Sequence, residues 1–279
     1  MMPWIITFAV FWLYPLAYAA FLSFTKYSTL TDTGEFIGFR NYEMIFADKL
    51  FWKALGNTFF FTMGTVPLTT ALAIFFAVLI NSRLIKRKDF FRSTFFIPSV
   101  TSLIVVALIF SNLYARDGYI NAIMSMLNLP YPESGWLLNP DTALLSVMAM
   151  DVWMATGYYM ILFLSGMQTI PEDLYESAKL SGANAWQQFR RITLPLLKPT
   201  LLFVVIINTI KSFQVFIEIF VMTKGGPLNS TMTLVYMVYV NAFEKTDMMG
   251  YASALAYIVF ILLLILSFIQ AKLLKFDRN

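Results

Sequence analysis

The 279-residue chain reads as an all-α integral membrane protein with six transmembrane helices. Three observations predict that class. Hydrophobic residues make up 59% of the chain and charged residues 13%, against the ~25% charge that a soluble domain carries. Apolar runs of the ~20 residues that a bilayer demands recur six times. The polar residues gather in the connections between those runs, and Lys and Arg divide unequally between alternate connections. The chain has no Cys and no His, which excludes a disulfide framework, a thiol nucleophile and a Cys/His metal site.

The first span is expected over 4–24. An apolar N-terminal run can also be a cleavable signal peptide, but no basic segment precedes this one, Pro15 interrupts it and no clean cleavage site follows. Residues 25–55 form a polar connection that contains Phe36–Tyr42, FIGFRNY. The second span covers 57–80, with a kink expected at Pro67. A short basic connection, 81–92, leads to the third span, 93–114, which carries Pro98. A longer connection rich in aromatics and proline, 115–141, precedes the fourth span, 142–165. The fifth span covers 200–222 and the sixth 251–273, with Lys224–Pro227, KGGP, in the connection 223–250. All of this reads as one membrane domain over 1–279.

The connection 166–199 is the most structured. A helix is expected to start with Pro171 at its first position, where a missing N–H costs nothing. Glu172 and Asp173 follow in the first turn, where the helix dipole favours negative charge. Leu174, Ala178 and Leu180 supply a short apolar stripe, and Gly182 is a natural stop. A second short helix is expected over 185–191, and Pro195 and Pro199 mark the re-entry into the membrane.

Within that stretch, Glu176-Ser177-Ala178, three residues, Gly182, nine residues, Ile192-x-Leu194-Pro195 resembles the EAA signature of ABC-importer permeases. Ser177 departs from the usual Ala, but it is also small. The whole chain resembles the carbohydrate-uptake permeases of the maltose and glycerol-phosphate type. Besides the signature, Pro3-Trp4, Phe36–Tyr42, Phe95–Pro98, Thr223–Pro227, Leu234–Tyr236 and Ala242-Phe243 carry that resemblance, in that order along the chain.

The resemblance implies a type I ABC importer fold with a cytoplasmic coupling helix, in a bacterial cytoplasmic (inner) membrane. It implies a heterodimer with a second homologous permease, two ATPase subunits and an extracytoplasmic solute-binding protein, and alternating access for a sugar or oligosaccharide. Coupling to the ATPase would fall to Glu176, Ser177, Ala178, Gly182, Ala183, Ile192, Leu194 and Pro195. The chain contains no G-x-x-x-x-G-K-[ST], so ATP and Mg²⁺ belong on the ATPase and no cofactor or metal on this chain. It would be a transport subunit without catalytic residues, in contact with lipid and not with nucleic acid.

An ionisable residue within a span marks a functional site by default, because hydrocarbon makes its burial expensive. Three stand out: Asp151 in the fourth span, and Lys211 and Glu218 in the fifth. Asn208, Lys211, Ser212 and Val215 fall at helical spacing on roughly one face. The resemblance places solute contacts at Asp151, Trp153, Ala155, Tyr158, Asn208, Lys211, Ser212 and Val215. Hydroxyl-rich solutes suit such a set, with hydrogen-bond partners for hydroxyls and aromatic faces for ring stacking. The same charges could instead form structural ion pairs or meet the partner subunit. Lys211 keeps glycerol phosphate or an anionic oligosaccharide open as the solute. A secondary transporter would also have spans and buried charges but would not need the signature, and an intramembrane enzyme would need a catalytic set that is missing here.

Orientation follows from Lys and Arg. The connections 81–92 and 166–199 together with the C-terminus hold 12 basic residues, and the other three connections hold 7. The signature and both termini are therefore expected in the cytoplasm. A cysteine placed within 115–141 should then react with an impermeant reagent added to intact cells, and a tag after Asn279 should not. The opposite labelling pattern would invert the topology.

Overall fold

A computed structural model describes residues 2–28, 33–82 and 85–274. Arg83, Lys275 and Arg278, which contribute to the charge asymmetry, and the C-terminal Asn279 lie outside the described residues. Five helices are long and apolar enough to cross a membrane, and a sixth crossing is present if one sharply bent helix pair is counted as a span.

The first helix, α1, covers Met2–Ser23, and none of its most apolar stretch is buried within the chain. Its last turns pack on the final helix, where the Tyr257 hydroxyl donates to the Leu16 carbonyl. The connection expected as a polar loop is largely structured. Strands β1 (Thr25–Ser28) and β2 (Thr33–Phe36) pair antiparallel, with Thr25 opposite Phe36. Helix α2 (Arg40–Ala47) follows. The FIGFRNY segment locks this corner: Asn41 Nδ2 donates to the Ser23 and Thr25 carbonyls at 2.8 and 2.9 Å, and the Tyr42 hydroxyl donates to Ser23 Oγ at 2.9 Å.

Helix α3 (Lys49–Asn81) starts two turns earlier than hydropathy indicates. Asp48 caps it by accepting the Leu50 amide at 2.8 Å, which satisfies a donor that the helix cannot pair internally. The third apolar run is not a straight span. Helices α4 (Lys88–Val100) and α5 (Leu103–Leu113) meet at 93°. Thr101 and Ser102 are extended at the break, three residues beyond Pro98. Pro98 cannot donate to the preceding turn, and the Ser99–Ser102 segment adds residues with low helix propensity.

The expected loop 115–141 contains helix α6 (Tyr119–Met126). Helix α7 (Ala143–Gln168) then forms the axis of the fold: 72% of its apolar window is buried, the largest share of any spanning helix. Helices α3 and α4 and the fifth span pack against it. The close crossing of α4 over α7 depends on Gly157, where a Cβ would collide with the Phe95 carbonyl.

The signature loop holds α8 (Glu172–Leu180) and α9 (Ala185–Gln188). α9 continues through a π-helical turn (Phe189–Thr193) towards the membrane. The fifth span is α10 (Lys198–Phe213) and α11 (Ile217–Met222), interrupted at 214–216. Its exit loop is tied to α3: Lys53 Nζ donates to the Leu228 carbonyl at 2.6 Å, and Asn57 Nδ2 to the Asn229 and Met232 carbonyls at 3.1 and 2.9 Å. The connection 223–250 also holds α12 (Leu234–Tyr239), and α13 (Met249–Leu274) ends the described chain.

Replacing Gly157 with Leu should separate α4 from α7 and lower the unfolding midpoint of the solubilised protein by the equivalent of ~1–3 kcal/mol. Gly56 has open space around it, so Gly56→Ala should leave the midpoint unchanged or raise it. Equal midpoints for the two variants would show that the two helices do not meet at residue 157.

Candidate functional site: a charged cavity in the membrane and an exposed polar turn

The two ionisable residues at mid-span find each other. Lys211 Nζ stands 3.8 Å from Asp151 Oδ1. Asp151 is buried at 4% side-chain exposure while Lys211 remains 48% exposed, so the pair has a buried anion and an accessible cation. The amphipathic stem of Lys211 allows this, since its carbons can lie along apolar neighbours while the ammonium reaches an open space. That space is a cavity of about 230 Å³ lined by Ser99, Met154, Ala155, Tyr158, Tyr159, Ile207 and Lys211.

Four of the eight residues expected along the pathway therefore converge: Ala155, Tyr158 and Lys211 on the cavity wall, with Asp151 behind Lys211. The other four lie elsewhere. Trp153 is on a different face of α7, against Phe110 at 5.3 Å between ring centroids, in a separate groove with Pro98 and Thr156. Asn208 and Ser212 are buried inside the chain, where the Ser212 hydroxyl donates to Asn208 Oδ1 at 3.4 Å. Val215 is also buried, and its carbonyl accepts the Thr233 hydroxyl at 3.2 Å. Phe203, Ile207 and Lys211 form an exposed stripe of α10, with exposed Gln214 just beyond its end, so Lys211 stands at the edge of the face it shares with Asn208 and Ser212.

Ser99 is a wall residue that sequence reasoning missed. Its hydroxyl donates to the Met154 carbonyl at 2.7 Å and accepts the Tyr158 amide at 3.1 Å. These two groups are one helical turn apart, so Ser99 is inserted into the backbone ladder of α7 beside the cavity. A serine directly after an intramembrane proline is the only sequence cue, and it does not name the helix contacted.

Glu218 is buried, within electrostatic range of both Asp151 and Lys211. The interruption at 214–216 explains its position. Lys211 occupies the last turn of α10 and Glu218 the first turn of α11, so each charge complements the dipole of its own half-helix. Among the described residues, no three His, Cys, Asp or Glu side chains gather into a metal site.

The signature loop forms a second site. Gly182 has φ +80° and closes α8 in a Schellman turn: its amide donates to Lys179 O, and the Ala183 amide to Ala178 O, both at 2.9 Å. The spacing from Ala178 to Gly182 is thus the spacing of the turn, and among the described residues a Cβ at Gly182 would meet open space. Pro171, expected from the sequence as the first helical residue, is instead the cap that precedes α8. Asn184 opens α9 with a reciprocal capping box to Gln187, both bonds 2.9 Å. The Tyr175 and Thr193 hydroxyls join the two arms at 2.9 Å. Glu176 and Ser177 are exposed, Ala178 and Ala183 half-buried; Ile192 and Leu194 are half-buried and Pro195 exposed at the return to the membrane. No residue of α8 is buried, and Leu180 is 91% exposed at its tip.

Residues 69–275 match the family described as "Binding-protein-dependent transport system inner membrane component". The chain is 37% identical over 266 residues to a multiple sugar-binding transport system permease protein of Streptococcus mutans, covering 95% of this chain and 90% of that one. It is 33% identical over 270 residues to a lactose transport system permease protein of Rhizobium radiobacter, covering 96% and 90%. Its fold superimposes with a TM-score of 0.85 on a chain of a bacterial ABC transporter that imports the acidic polysaccharide alginate, at 21% identity, covering 99% of this chain and 94% of that one. With most of its length matched by the family and by permeases of this kind, the chain belongs to the binding-protein-dependent transport system inner membrane components.

Proposed function

We propose that this chain is one of two permease halves of an ATP-driven importer for a sugar or oligosaccharide. Its partners would be a second homologous permease, two ATPase subunits and an extracytoplasmic binding protein, with both termini and the signature loop in the cytoplasm. The observation that carries this reading is the cavity bordered by Tyr158 and Lys211. It combines an aromatic face with an ammonium whose charge is offset by Asp151 at 3.8 Å. A wall of that kind offers hydrogen bonds and a stacking surface without a large net charge, which suits a neutral polyol. Two relatives named as lactose and multiple-sugar transport permeases support the same class.

The mechanism we infer has three parts. α8 docks on the ATPase through Glu176, Ser177 and Ala178, with Gly182 and Ala183 fixing the turn. The return through Ile192, Leu194 and Pro195 passes the movement to α10. Movement of α10 against α7 changes the separation of Lys211 from Tyr158, and so opens or closes the cavity. Asn208, Ser212 and Val215 would support α10 from inside, and Trp153 would face a neighbouring chain or lipid.

Lys211→Gln should retain uptake if the solute is neutral, while Lys211→Ala should lower uptake about tenfold, the equivalent of ~1.4 kcal/mol. Loss with both replacements points to an acidic solute or glycerol phosphate, and full uptake with Ala removes Lys211 from the pathway. At the other site, Gly182→Asn should keep the left-handed turn and most of the uptake. Gly182→Asp should uncouple ATP hydrolysis from uptake while leaving the protein in the membrane. Normal uptake with Asp would take residue 182 out of the ATPase interface.

A further inference from the structure

Helix α6 (Tyr119–Met126) turns its two faces the opposite way from a helix on the surface of a soluble domain. Its polar face is the inner one. Asn121 is buried: its Nδ2 donates to the Arg116 carbonyl at 2.9 Å, and its Oδ1 accepts the Trp136 indole N–H at 2.6 Å. Its apolar face points away from the protein. Tyr119, Ile123 and Met126 are 76%, 54% and 82% exposed, and Leu127 at the helix end is 62% exposed. At helical spacing these four fall within ~100° of one another around the axis, with Asn121 on the far side. An eight-residue helix has little stability by itself and is held in proteins by the packing of its amphipathic face. Among the described residues, no other helix packs along α6. The cover for its apolar face therefore comes from outside the chain.

Position and composition say what that cover is. α6 starts against the end of α5: a Cβ on Gly118, the residue before the helix, would collide with the Leu113 carbonyl. The link between them is a turn rather than an extended loop, closed by the Gly118 amide on the Ala115 carbonyl at 2.9 Å. The chain beyond α6 returns to the same place, where the Trp136 amide donates to the Tyr114 carbonyl at 3.1 Å. α6 is thus tied to the last turn of an apolar helix whose Ile104, Val105, Leu108 and Ile109 are themselves half-exposed along one side. The connection leads into the start of α7, whose other end leads to the signature loop, so α6 lies at the bilayer surface remote from that loop. The helix carries no charged residue. It offers nothing to pair with a charged protein surface or a charged headgroup, only apolar side chains and a tyrosine. That composition suits the level at which hydrocarbon meets headgroups.

We propose that α6 is an interfacial helix that lies in the plane of the bilayer surface, with Tyr119, Ile123, Met126 and Leu127 in the lipid. The inference rests on the membrane assignment of the spans and not on the solute. At this point the connection 115–141 is an anchor, and it holds the far end of α5, beyond the 93° bend, at one depth. Water reaches Asp117 and Ser125, which lie outside the apolar face.

The chain has no cysteine, so single cysteines at Ile123, Leu127, Ser125 and Asp117 can each carry a spin label. The labelled chain is studied in the importer complex, with cysteines removed from the other subunits, in phosphatidylcholine vesicles with and without binding protein. Oxygen concentrates in lipid and a neutral nickel chelate in water, while a label covered by protein meets neither. Labels at 123 and 127 should relax more with oxygen than with the chelate, and labels at 125 and 117 should show the reverse order. Adding phosphatidylglycerol should leave both orders unchanged, because the contact is apolar. Chelate access at 123 and 127 equal to that at 117 puts the face in water and overturns the proposal. Access to neither reagent overturns it as well, since a second permease or the binding protein then covers the face. Met126→Cys replaces either site if its label prevents assembly. The readout depends neither on the solute nor on which side of the membrane α6 occupies, so its failure is separate from a failure of the transport reading.

Discussion

Helix α7 can lie at the centre of this protein because α4 approaches it to backbone contact at Gly157. In hydrocarbon no water compensates a polar group, so every backbone amide and carbonyl needs a partner within the protein. Ser99 meets that requirement where α4 ends, bridging Met154 O and Tyr158 N with one hydroxyl. The contact places the bend between α4 and α5 and the aromatic ring of Tyr158 beside the cavity. Packing, helix geometry and the polar wall are thus consequences of one crossing.

The charges obey a related constraint. Asp151 and Lys211 share a cost that each alone would meet in full, and the unequal exposure of the two leaves only the cation accessible. Glu218 lies across the interruption in the fifth span, where a half-helix terminus supplies part of what a counter-ion would. The interruption and the charges around it belong to one arrangement. A continuous helix through 214–216 would leave neither residue at a terminus.

Much of this was legible in the sequence. The apolar runs located the spanning helices, and the intramembrane ionisable residues named the Asp151–Lys211 pair. The position of Gly182 in the signature predicted a helix stop, and the turn at that residue explains the spacing in terms of backbone conformation. What could not be read is which side of a helix its neighbours cover. Asn208, Lys211 and Ser212 share a helical face by spacing, yet two of them are buried and one borders the cavity. Trp153 is two residues from Asp151 and on another face of α7. The early start of α3 escaped hydropathy because its first two turns are amphipathic and are fixed by Asp48, a single capping residue. The 93° bend depends on Pro98 together with a serine and threonine run whose hydroxyls can bond elsewhere.

The contact between Tyr257 and the Leu16 carbonyl joins residues 241 positions apart. The surface on which the middle of the first helix packs is therefore not synthesised until almost the whole chain has been made, although Asn41 and Tyr42 hold its last turn at Ser23 earlier. Until α13 enters the bilayer, α1 has little within its own chain to hold it, since its apolar length is unburied even in the finished fold. Biogenesis of the protein thus has a stage at which α3, α4 and the fifth span can pack on α7 while the middle of α1 has no partner helix. The order of events during membrane insertion is written into the distance between those two residues, and non-local closure of this kind is the slow part of folding.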